Sequence, residues 1–157
     1  MSRTDSSSTL IRADVDTVFS ALVDAEALAV WLPPNGMTGR FERFDVRPGG
    51  SYRLVLTYED GSAGSGKATP DSDIVEVRFL DIVPGARVVQ AVDFVSDDPA
   101  FAGTMTMVWE LSAHENGTQV AIRAENVPRG ITAEDHQAGL AASLTQLATY
   151  LGRGVDP

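Results

Sequence analysis

The chain contains no cysteine. That excludes disulfides, thiolate nucleophiles, cysteine-ligated metals and iron–sulfur clusters. Histidine is almost as scarce, with only His114 and His136. Imidazole-based metal centres need several ligands close together, so no metal is expected. Basic residues are outnumbered: 12 Lys plus Arg against 22 Asp plus Glu give a net charge of −10. They are also scattered along the chain. An acidic protein without a basic patch repels phosphate backbones, so no nucleic-acid partner is expected. No apolar run approaches the ~18–20 residues of a membrane span. The first nine residues, Met1 to Thr9, are polar and Ser-rich, unlike the apolar centre of a signal peptide. These absences predict a soluble cytoplasmic protein with no membrane span. No Gly-x-Ser-x-Gly elbow is present either, so a hydrolase of that type lacks its nucleophile.

What is present fits one ordinary domain. The chain has 157 residues, of which 43% are hydrophobic and 22% charged. That length buries a sizeable core without disulfide or metal staples. Residues 1–8 read as a disordered tail, residues 9–152 as a single domain, and residues 153–157 as a C-terminal tail. A short strand is expected over Thr9–Ala13. Asp14 is a plausible helix N-cap, with Val15, Val18, Phe19 and Leu22 at helical spacing behind it. A second short helix runs from Asp24 to Trp31, and Pro33-Pro34 stops it.

The period then changes to two. Strands are expected over Gly39–Val46, Tyr52–Tyr58, Ile74–Val83, Arg87–Val95, Gly103–Leu111 and Thr118–Glu125. Arg47-Pro48-Gly49-Gly50, Pro84-Gly85 and Glu115-Asn116-Gly117 mark turns between them. The last element is a long helix over Ala133–Leu151, with Leu140, Leu144, Leu147 and Leu151 on one stripe. Its length of ~27 Å matches an eight-residue strand, so it can lie across a whole sheet. A run of strands followed by one helix argues for an α+β fold, an antiparallel sheet covered on one face.

Four segments, taken together, resemble one family. Ile11 to Leu22 looks like its opening strand and helix. Asp24-Ala25-Glu26-Ala27-Leu28-Ala29-Val30-Trp31 looks like its D-P-E-x-L-x-x-W helix. Val46 to Arg53 is similar to its R-P-G-G-x-W/Y-R hairpin. Asp135-His136-Gln137-Ala138-Gly139-Leu140 is similar to its G-H-x-x-G-W helix start. The chain is thereby identified as resembling the domain of activators of the heat-shock-protein-90 ATPase, within the START-like (SRPBCC, birch-pollen-allergen-like) superfamily. The resemblance implies a helix-grip fold, with a curved antiparallel sheet around a long C-terminal helix and a cavity between them. Two positions depart from the family pattern: Leu140 stands for its tryptophan, and Ala124 for a polar residue near the end of the last strand. The chaperone activators carry a further N-terminal domain not present in these residues, so a chaperone partner is not expected. A homodimer is compatible with the family but no residue pattern requires it.

Fold alone does not assign an activity. The segment Gly61-Ser62-Ala63-Gly64-Ser65-Gly66-Lys67-Ala68 nearly spells a phosphate-binding loop. Its last position must be Ser or Thr to hold Mg²⁺, and no helix start follows it, so a hairpin tip is expected. The strand faces are more informative. Met105, Met107, Trp109 and Leu111 share one face, and Val88, Gln90, Val92 and Phe94 share another. A glutamine in an apolar row is the pattern of an orienting group in a pocket, and methionine suits an irregular wall. A filled core against Leu140, Leu144 and Leu147 is the competing reading.

Three functions follow. The first is binding of a small apolar or amphipathic ligand between sheet and C-terminal helix. Trp31, Tyr52, Gln90, Met105, Met107, Trp109, His136 and Leu140 then line or gate the site, with Trp31 as a lid or a packing anchor. No cofactor is assigned. The second is an enzyme of cyclase or hydrolase-like type, with His136 as the candidate acid or base and Gln90, Ser143 or Glu125 as its partner. The third is a chaperone or protein-interaction module using the acidic surface.

Overall fold

The computed structural model describes residues 3–33, 36–58, 72–94 and 98–152. The near-match to a phosphate-binding loop at 61–68 and the C-terminal tail at 153–157 lie outside these residues. The elements follow in the order β1 (Thr4–Ile11), α1 (Val15–Val23), α2 (Ala25–Trp31), β2 (Met37–Phe44), β3 (Ser51–Tyr58), β4 (Ser72–Val83), β5 (Arg87–Phe94), β6 (Met105–His114), β7 (Gly117–Glu125) and α3 (Ala133–Tyr150). A 3-10 turn, Pro99–Phe101, precedes β6.

All the strands join one curved antiparallel sheet in the order β1-β7-β6-β5-β4-β3-β2. Hairpins of neighbouring strands build most of it. The first strand alone returns to the far edge, beside β7. This is the α+β helix-grip arrangement expected from the sequence, with α3 against the inner face.

The N-terminal boundary is corrected. Thr4–Ser8, assigned to a disordered tail, pairs in register with β7 from Thr4 against Glu125 to Ser8 against Ala121. The segment has no apolar alternation to betray a strand. Its backbone groups are satisfied by the β7 ladder instead, which polar side chains permit at an edge.

Local chemistry explains the helix starts. The Asp14 carboxylate accepts from Thr17 N at 2.8 Å and caps α1. Asp24 does the same for α2 through Glu26 N, at 3.2 Å. Thr132 caps α3 by accepting from Asp135 N at 3.1 Å, with Glu134 and Asp135 set favourably in the first turn. The stripe Leu140, Leu144, Leu147 and Ala148 is buried. Each buried leucine contributes about 1.5–3 kcal/mol through removal of its side chain from water. It packs with Ile11, Val120, Ile122 and the α1 residues Val18 and Leu22 into one core.

The outer face carries the charge. Arg53 reaches both Glu42 and Glu76, and Arg43 reaches Glu76 at 2.6 Å. Such pairs sit largely in water and add about 0–1 kcal/mol each. The inner face is where apolar rows converge.

Candidate functional site

The pleat decides which side chains meet inside. Cross-strand partners share a face, and the register aligns Tyr52 with Val77, Val77 with Val92, Val92 with Met105, Gln90 with Met107, and Val88 with Trp109. These rows form the concave wall. The opposite wall is α3, where His136, Leu140 and Ser143 fall at i, i+4 and i+7 on one helix face. Leu28 and Trp31 of α2 bound the space near one end.

Between the walls lies a cavity of about 290 Å³. That is near the lower end of the ~300–1,000 Å³ usual for small-molecule sites. Trp31, Tyr52, Gln90, Met105, Met107, Trp109, His136 and Leu140 all border it. The inner face is therefore not completely filled by its own side chains. Phe94, from the same row as Gln90, borders it as well, and so do Met37 and Asp73, which the sequence reading did not single out.

Trp31 is an anchor rather than a lid. Its side chain is buried, its indole Nε1 donates to Ala21 O at 2.9 Å, and its ring meets Trp109 edge to face. Gln146 of α3 fixes the same corner by donating to Trp31 O at 2.6 Å and Pro33 O at 2.9 Å. The α2 end is thus tied to α3 by backbone acceptors.

Polar groups are few and placed. Tyr52 hydrogen-bonds to Gln90 across the wall. Burial pushes the Tyr52 phenol well above its ordinary pKa, more than the bond to Gln90 lowers it. The phenol therefore stays protonated at neutral pH, a neutral polar group among apolar neighbours. Gln90 itself is 7% exposed. Asp73 of β4 is also buried and borders the cavity.

His136 stands at the edge of this space, with its side chain 12% exposed. Its Nδ1 lies 2.8 Å from Asp5 Oδ2. Asp5 is only 8% exposed and also accepts from Arg3 Nη2 at 3.0 Å. Burial pushes the Asp5 carboxyl up, but the hydrogen bonds from His136 and Arg3, with their charges, hold it below its ordinary value. Arg3 donates to Ile131 O as well, and its own carbonyl accepts from Val127 N at 3.1 Å. One end of β1 thereby fixes the entry to α3.

The partners suggested for His136 separate accordingly. Gln90 and Ser143 border the same cavity as the histidine. Glu125 does not: its carboxylate is held by Arg123 at 2.8 Å, apart from the cavity lining. The observed partner, Asp5, was missed because its contact spans 131 positions and it sits in a segment that reads as tail. Asp5 lies directly across from Ala124, which in turn lies across from Met107. The small side chain of Ala124 separates the carboxylate from the cavity methionine. His114 is exposed, with Nδ1 accepting from Asn116 N in the β6–β7 turn, as expected of a solvated histidine. Among the described residues no group of three or more His, Cys, Asp or Glu side chains converges as a metal site. No helix among them is long and apolar enough to cross a membrane.

Comparison with known proteins places this geometry. The chain is similar to a structure from Chromobacterium violaceum at 29% identity, with 93% of this chain and 94% of that one covered and a TM-score of 0.81. An AHSA1-like protein from Aeromonas hydrophila shares the fold at 18% identity, 96% and 92% coverage and a TM-score of 0.74. A protein from Arthrobacter aurescens does so at 18% identity, 95% and 86% coverage and a TM-score of 0.76. No functionally curated protein matches the sequence. The family model described as activator of Hsp90 ATPase homolog 1-like protein matches residues 12–152. The order of elements, the grip of the sheet on α3 and this match agree: the chain belongs to the activator of Hsp90 ATPase homolog 1-like family, within the START-like superfamily.

Proposed function

We propose that the chain binds a small apolar or amphipathic molecule in the cavity between the sheet and α3. The observation that carries this reading is the unfilled space of about 290 Å³ in a wall of Leu, Val, Met, Phe and Trp side chains. Interiors normally pack to crystal-like density, so a void of this size has a structural cost. A ligand restores the missing dispersion contacts and gains ~25 cal/mol for each Å² of apolar surface buried, less the cost of its ordering. Tyr52 with Gln90, and His136 at the rim, supply orientation. Leu140 and Met107 shape the fit from opposite walls, and Met105 and Trp109 continue the Met107 side.

Native mass spectrometry of the freshly purified chain, set against the same sample denatured, tests this reading. A mass increment that disappears on denaturation supports it and begins to identify the ligand. Failure of a panel of small apolar compounds to add mass or to raise thermal stability contradicts it.

A further inference from the structure

We infer that His136, held by Asp5, is a hydrogen-bond acceptor in the cavity and selects neutral ligands that carry a hydroxyl donor over anionic ones. This rests on the cavity reading and adds the chemistry of its polar end.

Asp5 sets the hydrogen-bonding state of the ring. Its carboxyl is held below its ordinary pKa, so at neutral pH it is ionised and can only accept. The ring nitrogen facing it, Nδ1 at 2.8 Å, must therefore carry a hydrogen. In the neutral imidazole that leaves the lone pair on Nε2. Nε2 has no hydrogen-bond partner among the described residues, and no buried side-chain nitrogen or oxygen among them lacks one. Nε2 is consequently an accessible atom, on a residue that borders the cavity. Arg3 and the Ile131 carbonyl lock the Asp5 end, so the ring is oriented before any ligand arrives.

The charges around the site decide what can meet Nε2. No lysine or arginine is among the described residues lining the cavity, whereas the buried Asp73 is. The guanidinium of Arg3 is engaged with Asp5 and Ile131 O. With His136 neutral, a carboxylate or phosphate entering this space loses its hydration and finds no free cation in return. A neutral hydroxyl gives up little and gains a charge-oriented acceptor. The aromatic rings of Trp31, Trp109 and Phe94 favour a flat apolar body behind that hydroxyl.

The test uses three ligands of one shape: naphthalene, 2-naphthol and 2-naphthoate. Dissociation constants are measured for the wild-type chain and for His136→Phe. The expected result is that His136→Phe lowers the ratio of 2-naphthol to naphthalene affinity by roughly three- to ten-fold, the loss of one hydrogen bond. An unchanged ratio, with both compounds bound, overturns this inference while leaving the cavity reading intact. Tighter wild-type binding of 2-naphthoate than of 2-naphthol overturns it too, because it shows a donor or cation where an acceptor is assigned. Absence of binding by all three overturns both readings. A second measurement needs no variant: ¹⁵N spectra of wild-type His136 are expected to show the proton on Nδ1 and a perturbation of Nε2 on adding 2-naphthol. A perturbation confined to Nδ1, or none with 2-naphthol bound, contradicts the assignment.

Discussion

Trp31 and Trp109 meet edge to face, with ring centroids 5.7 Å apart and planes at 82°. This contact joins α2 to β6, and both rings border the cavity. Because Trp31 is 2% exposed and its indole N–H is bonded to Ala21 O, it is a packing element first. Trp31→Ala is expected to destabilise the chain by about 3–5 kcal/mol. That is a large share of the ~5–15 kcal/mol typical of a domain. Trp31→Phe keeps part of the ring contact but leaves Ala21 O without its donor, so its loss should be intermediate. Chemical denaturation of both variants checks the order. Equal stability of Trp31→Ala and wild type would contradict the anchor role.

Tyr52 gives a prediction at alkaline pH. Burial raises its folded pKa above the ordinary phenol value of 10.0. For such a group the stabilisation is complete below the unfolded pKa and is lost as pH rises above it. Stability should therefore decline above about pH 10 more steeply in the wild type than in Tyr52→Phe. Ultraviolet titration should show one tyrosine that ionises only as the chain unfolds. A Tyr52 phenol that titrates at its ordinary value in the folded chain would show that it is not buried.

Asp5 gives the opposite prediction in acid. Against the effect of burial, which raises it, His136 and Arg3 hold its folded pKa below the ordinary carboxyl value of 3.8. A depressed carboxyl stabilises the fold above its unfolded pKa and loses that contribution as pH falls through the folded value. The Asp5 share is thus full at neutral pH and disappears below 3.8. Asp5→Asn should lower stability at neutral pH and flatten the acid limb of the stability profile. An acid limb identical in the two chains would mean that the Asp5–His136 bond contributes nothing.

Gly139 faces open space on the helix flank that borders the cavity, and a Cβ built there meets nothing within 4 Å. Glycine within a helix costs about 0.8–1 kcal/mol relative to alanine. Gly139→Ala should therefore stabilise the chain by about that amount, read as a raised thermal midpoint. A loss of stability would show that something occupies this space.

Much of the architecture was legible because it rests on pattern. The alternation Tyr52, Leu54 and Leu56 marked β3, and Leu140, Leu144 and Leu147 marked the inner stripe of α3. Asp14 was legible as a cap because capping is local chemistry. The first strand was not, since Ser6, Ser7 and Ser8 are held by a ladder to β7 rather than by apolar burial. For the same reason Asp5 was invisible as the partner of His136: the contact depends on closure of the sheet, which brings residues 131 positions apart to 2.8 Å. Glu125 was close in type but falls on Arg123 instead. Side-chain pattern gave the wall of the cavity, while its polar rim came from topology.

On the proposed function, the space beside Met107 receives a ligand. Met107 borders the cavity and is only partly buried, so a larger side chain can extend into the space without displacing a fully packed neighbour. The most direct measurement is a fluorescence titration of the uncharged dye N-phenyl-1-naphthylamine into wild type and Met107→Trp, with circular dichroism confirming that both are folded. Saturable one-to-one binding by the wild type is expected, weakened at least about tenfold in the filled variant, the equivalent of ~1.4 kcal/mol. Equal binding by both folded chains, or no saturable binding by the wild type, would contradict it.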